Sequence, residues 1–229
     1  MKTLSVTMTP REKAVGFIYF PIQLFCLPLL LSIANMLIGY LLSVSWLNFL
    51  YFFINFVSVL VIFGHFLKEN GKIALSAPWR CLRFAAIGLI TYQFLSNVVL
   101  LLIVHVRPDF FNVNDAAINT MAQNDYGLIA FSTVILVPIA EEVLHRGLIF
   151  GQLYNRNRVA AYLISMIVFS AMHILDYIRV YEWQMLLLCF LQYLPAGLCL
   201  GWAYAKSDSI WVPILMHTAI NQIGILSMR

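Results

Sequence analysis

The sequence predicts an all-α fold, a polytopic bundle of membrane-spanning helices, and three observations carry that prediction. Hydrophobic residues make up 62% of the 229 and charged residues only 10%, against roughly 25% charged in an ordinary soluble domain. With a mean hydropathy of +0.87, no water-soluble core could hide so much apolar surface, so the solvent is lipid. The apolar runs are also continuous, and alternating strands of roughly ten residues are absent. Helices remain as the spanning element, because a backbone in lipid must satisfy its own hydrogen bonds.

Seven segments reach the ~30 Å of a hydrocarbon core at 1.5 Å per residue. They run over residues 14–42, 46–67, 84–106, 127–150, 159–175, 183–205 and 209–226. The first is long enough to tilt or to include an interfacial turn. The fifth is short unless it continues through Asp176 and Tyr177. The longest polar stretch, residues 107–126, holds Asn112, Asn114, Asn119 and Asn124 and reads as an outside loop. It divides residues 1–106, plain spans without identifiable motifs, from a membrane core at 127–226 that holds all the unusual residues.

Basic residues alternate between the two sides. Lys2, Arg11 and Lys13 precede the first span, and Lys68, Lys72, Arg80 and Arg83 follow the second; Arg156 and Arg158 follow the fourth, and Lys206 the sixth. The opposite connections carry only Arg107, Arg179 and Arg229 among several acids. The positive-inside rule therefore puts the N-terminus in the cytoplasm and the C-terminus outside. The first apolar run far exceeds a signal-peptide core of 7–15 residues and lacks a small-residue cleavage site, so a cleaved signal is not expected. The net charge of +4 is too diluted by apolar sequence to point to nucleic acid. Cys26, Cys81, Cys189 and Cys199 form no CxxC pair and read as small hydrophobes within helices rather than a disulfide or zinc framework. No internal repeat or low-complexity tract is found.

Six side chains are out of place in lipid: Glu141, Glu142, Arg146, His173, His217 and Asn221. A charge at the bilayer centre costs at least ~2.5–3.5 kcal/mol, so such groups usually face a protein interior and act there. They come from three apolar stretches, VPIAEEVLHRGLIF, VFSAMHIL and PILMHTAINQ. On a helix Glu142 faces Arg146 four residues on, and the pair neutralises itself. Glu141 lies about 100° round the helix with no internal cation. A carboxylate left over in a low-dielectric site is pushed towards the proton affinity a general base needs.

His173 has Phe169 one turn before it, and His217 has Asn221 one turn after it on the same face. An imidazole beside a carboxamide offers donors to a developing oxyanion, or ligands to a metal. His145 shares a face with Glu141 and reads as a hydrogen-bonding neighbour. Gly197 and Gly201 give a GxxxG spacing for close helix contact, with Pro195 as a kink.

These stretches resemble a known family. EEVLHRG fits EExxxRG, FSAMH fits FxxxH and HTAIN fits HxxxN of the CPBP family, the CAAX-prenyl-protease and bacteriocin-processing intramembrane proteases also called the Abi family. GLCLGWAYAKSDSIWVPILMHTAIN is similar to the family's run from a Gly-rich helix to its last motif. The resemblance covers about residues 127–226. It implies catalytic roles for Glu141, His173, His217 and Asn221, with Glu142 and Arg146 in the first motif. Family members often have eight spans against the seven drawn here.

Two mechanisms fit. In one, Glu141 and His173 activate water while His217 and Asn221 stabilise the oxyanion. In the other, zinc held by His173, His217 and Glu141 lowers the pKa of its water. The absence of HExxH and the poor affinity of Asn for zinc favour the first. The expected function is an intramembrane endopeptidase in a lipid bilayer, acting on a peptide or membrane-protein substrate. The resemblance offers a prenylated CAAX-type protein or a bacteriocin or leader-type peptide, and the compact size suits the bacterial branch and a bacterial cell membrane. The alternatives are a non-catalytic immunity or scaffold protein on the same fold and a small transporter; the latter would be expected to show repeat symmetry.

Overall fold

The computed structural model describes residues 3–228. Lys2 and Arg229, both used in the orientation argument, lie outside the described residues. Among the described residues, eight helices and one 3-10 turn (Leu175–Tyr177) make up the fold. We label the helices α1 (Pro10–Leu37), α2 (Val44–Ile62), α3 (Gly64–Ser76), α4 (Pro78–Val106), α5 (Val113–Tyr154), α6 (Arg158–Met172), α7 (Trp183–Ser207) and α8 (Trp211–Ser227). Every segment drawn from the sequence is helical over most of its length; the first ends at Leu37 rather than 42, ahead of Gly39 (φ +75°) and Tyr40 (φ +58°), and the fifth ends at Met172. Among the described residues five helices, α1, α2, α4, α5 and α7, are long and apolar enough to cross a membrane. The two remaining expected spans are shorter: α6 has 15 residues and α8 has 17. Both are packed among the longer helices, α6 on α5 and α7, and α8 on α4, α5 and α7.

Two expectations are corrected. The second segment does not run through Leu67, because the helix breaks at Phe63 (φ −112°) and α3 begins as a separate helix. The stretch 107–126 is not simply a loop. Asn112 caps a helix at Val113, its side-chain oxygen accepting from the amides of Asn114 (3.0 Å) and Asp115 (3.1 Å). That helix continues, with a kink at Asp125 (φ −136°), into the fourth span. A polar helix gives no hydropathic signal, and the Ala and Met residues of DAAINTMAQ form helix without needing burial.

The N-terminal part braces the rest. Thr9 and Glu12 form a capping box on α1. The second Glu12 oxygen accepts from the Phe66 amide at 2.8 Å, so one buried carboxylate caps α1 and α3 together. Asn70 on α3 accepts from the Ile210 amide (2.9 Å), and Trp211 Nε1 donates to the Leu67 carbonyl (3.1 Å), which joins α3 to the start of α8. Ahead of α1, Leu4 donates to Asn155 (3.0 Å) and Ser5 to Asp208 (2.8 Å). Asp208 ends α7 in the left-handed region at φ +64°.

Helix α5 is interrupted by two π stretches. Pro138 has no N–H and cannot bond the turn before it, and the chain widens into a π turn at Ser132–Leu136 just ahead of it. A second π stretch covers Val143–Phe150. Such wide turns re-aim side chains and recur at functional positions.

Candidate active site

Glu142 and Arg146 are fully buried on α5, with Arg146 Nη1 2.9 Å from Glu142 Oε1. The i,i+4 pairing read from the sequence survives the π stretch. The same Glu142 oxygen accepts from His217 Nδ1 on α8 at 2.9 Å. Arg146 Nη2 reaches the Gly197 carbonyl on α7 at 3.3 Å, and its guanidinium lies 4.2 Å from the Phe169 ring centre on α6. One ion pair thus touches four helices. Two glycines permit that closeness. A Cβ on Gly147, next to Arg146, would stand 2.8 Å from the Met8 methyl and 2.9 Å from the Phe66 ring. A Cβ on Gly197 would meet the Met166 backbone at 3.0 Å, so the glycine spacing on α7 serves packing as expected.

Phe169 is the hub between the histidines. Its ring centre is 4.6 Å from that of His173, 5.5 Å from His145 and 5.8 Å from His217. His173 closes the C-terminus of α6 and bonds the Phe169 carbonyl through Nδ1 at 2.9 Å. A carbonyl only accepts, so Nδ1 carries the proton and Nε2 holds the lone pair in the neutral ring. His145 uses Nδ1 on the Glu141 carbonyl at 2.8 Å and is 2% exposed, the neighbour role expected for it.

A cavity of about 860 Å³ opens on this cluster, and Glu141, His173, His217 and Asn221 all line it. Glu141 Oε2 is buried and has no hydrogen-bond partner among the described residues. Asn221 Nδ2 donates to the Thr133 carbonyl, in the first π turn of α5, at 2.8 Å. That bond fixes the carboxamide and leaves one N–H of the same nitrogen. Glu142 and Arg146 do not line the cavity. They sit behind it and hold His217. Four of the six unusual residues therefore share one space, and the other two form its buried support.

The sequence reading missed contributions from other helices. Tyr51 on α2 and Tyr193 on α7 line the same cavity. Tyr51 donates to Gln23 on α1 at 2.7 Å, while the Tyr193 ring lies 4.1 Å from His173. Their signal was available as isolated polar tips within apolar runs, but a lone Tyr in a membrane helix has many uses.

The donors proposed for zinc do not fit a metal as placed. Among the described residues no three His, Cys, Asp or Glu side chains stand close enough to hold an ion. His217 Nδ1 is committed to Glu142, and Glu141, His173 and His217 line one cavity without converging on a point.

Comparison with known proteins points the same way as the motifs. Residues 123–223 match the family described as type II CAAX prenyl endopeptidase Rce1-like. The chain is 30% identical over 90 residues to UPF0177 protein YxdF of Lactococcus lactis subsp. lactis (strain IL1403), a match covering 39% of this chain and 44% of that protein. It is 34% identical over 93 residues to Putative membrane peptidase YdiL of Bacillus subtilis (strain 168), covering 40% of this chain and 34% of that protein. Each match spans less than half of the relative. No solved structure matches the chain. The matched stretch holds all three motifs and bears out the resemblance read from the residues.

Proposed function

We propose, on the premise that residues 123–223 share the chemistry of the CAAX-type membrane proteases they match, that the protein is an intramembrane endopeptidase. The observation that carries this reading is that Glu141, His173, His217 and Asn221, from three separate helical stretches, all line one cavity inside a bundle of apolar helices. The substrate is a peptide or membrane-protein segment, of the prenylated CAAX type or the leader type. The setting is a lipid bilayer, and the organisms of the two relatives favour a bacterial membrane.

In the proposed reaction, the Glu141 carboxylate and the Nε2 lone pair of His173 hold a water. The water oxygen attacks the peptide carbonyl carbon and gives a proton to Glu141. The oxyanion accepts from the second N–H of Asn221 and from His217 Nε2; one such donor is typically worth ~10²–10³-fold in rate. With Nδ1 facing Glu142, His217 carries a proton on Nε2 only as imidazolium, and the Glu142 carboxylate behind the ring offsets that charge. The proton taken by Glu141 then passes to the leaving nitrogen as the C–N bond breaks.

Incubating the purified protein in liposomes with membrane peptides tests this reading. Cleavage at a defined bond supports it. An intact substrate set, with site variants that retain biological function, would favour the scaffold reading. Strong chelators should leave cleavage unchanged, and the purified protein should carry substoichiometric zinc by elemental analysis. Near one zinc per chain, with chelator-sensitive activity restored by Zn²⁺, would make His173 and His217 ligands instead.

The division into residues 1–106 and a catalytic core at 127–226 belongs to the proposal, as does a cytoplasmic N-terminus. In a background lacking the native four cysteines, Ser76→Cys, exposed on α3, should resist an impermeant reagent in intact cells. Thr120→Cys, exposed on α5, should react. The reverse pattern would overturn the orientation.

A further inference from the structure

His173 is weakly held by its own stretch of chain. Helix α6 ends at Met172, and the next ordered turn is the short 3-10 turn at Leu175–Tyr177. One bond, from Nδ1 to the Phe169 carbonyl, fixes one edge of the ring. The ring faces are held by two aromatic side chains. Phe169, on α6 itself, lies 4.6 Å away at 51°; Tyr193, on α7, lies closer at 4.1 Å and more nearly parallel at 31°. Removing Tyr193 would free the cavity side of the imidazole to turn about its Cβ–Cγ bond.

Tyr193 is itself tethered at its far end. Asn114 Nδ2 donates to its hydroxyl at 3.2 Å. The single hydroxyl proton goes to Asn112 Oδ1 (3.1 Å) or Asp115 Oδ1 (3.3 Å). Asn112 also donates to Gln192, the residue beside Tyr193, at 2.8 Å. The N-terminus of α5 is therefore fastened to α7 at the point where α7 presses on His173. The carboxamide that caps α5 is the one that accepts from Tyr193.

We propose that Tyr193 is a positioning residue: held by Asn112, Asn114 and Asp115, its ring fixes the imidazole of His173 so that Nε2 faces the cavity. The catalytic part of this inference rests on the peptidase reading. A reacting group displaced by 1 Å can cost ~10²-fold in rate without touching substrate affinity, which sets the scale.

The test compares wild type with Tyr193→Leu, Tyr193→Phe and His173→Ala in liposomes, on one cleavable peptide. Tyr193→Leu should lower kcat by ~10²-fold with KM within about threefold, as expected for lost positioning rather than lost binding. Tyr193→Phe keeps the ring and loses the tether, so its kcat should fall between the two. Histidine ring-carbon NMR supplies a readout independent of turnover. The His173 resonance, assigned among the five histidines by its loss in His173→Ala, should move in Tyr193→Leu. An unmoved resonance, or wild-type kcat in folded Tyr193→Leu, would overturn the inference. So would Tyr193→Phe as damaging as Tyr193→Leu, which would give the role to the hydroxyl. If Tyr193→Leu does not accumulate, wild-type kcat and an unmoved resonance in Tyr193→Phe overturn the inference on their own. Full turnover by His173→Ala would instead remove the peptidase assignment of His173, leaving the NMR result to judge Tyr193.

Discussion

Glu141→Gln is expected to slow peptide cleavage by ~10²–10⁴-fold, the usual worth of a general base, while the protein melts near its wild-type temperature. The substitution keeps shape and hydrogen-bonding capacity and removes only the proton acceptor. Glu141 lines the cavity, and its buried Oε2 has no hydrogen-bond partner among the described residues, so no structural bond is lost there. Glu142→Gln should behave in the opposite sense. Glu142 does not line the cavity, and its Oε1 holds both Arg146 and His217 at 2.9 Å. Its damage should appear as instability, together with a displaced His217. Turnover and melting temperature measured on both variants check the contrast; equal losses of turnover at equal stability would mean that the two roles are wrongly divided.

Arg146→Ala should give the largest stability effect, because it leaves the fully buried Glu142 with only His217 as partner. Breaking a buried pair from one side typically costs ~3–5 kcal/mol. Two further contacts go with it, the bond to the Gly197 carbonyl and the guanidinium face on Phe169. Glu142→Ala combined with Arg146→Ala should recover part of the loss, since no carboxylate is then stranded. A detergent melting curve of the double variant no better than that of Arg146→Ala would show that the two side chains do not stabilise each other.

How far the sequence could be read depended on how local each feature is. The apolar runs mark the helices because hydropathy is a property of the residues themselves, and each drawn segment is helical over most of its length in the structure. The pair Glu142–Arg146 was legible because four residues on a helix bring side chains together, and the geometry holds at 2.9 Å. Four features were not legible. The polar helix from Val113 was hidden because a helix rich in Asn and Asp carries no hydropathic mark. The boundary at Phe63 was hidden because Phe66 and Leu67 resume the apolar run just past Gly64 and His65, carrying it across the break. The link from Glu142 to His217 spans 75 residues of chain and follows only once α5 and α8 are packed. The stacking of Tyr193 on His173 is tertiary in the same way.

The central claim is that water acted on by Glu141, His173, His217 and Asn221 hydrolyses a peptide bond. The most direct measurement is mass spectrometry of products formed in ¹⁸O-labelled water by wild type and by Glu141→Gln, His173→Ala, His217→Ala and Asn221→Ala, each shown to be folded. The account predicts ¹⁸O in the new carboxyl terminus from wild type and a slowing of at least roughly tenfold in every variant, the low end for a single positioned acid, base or donor. Absence of labelled product from wild type, or unchanged cleavage by all four folded variants, would contradict it.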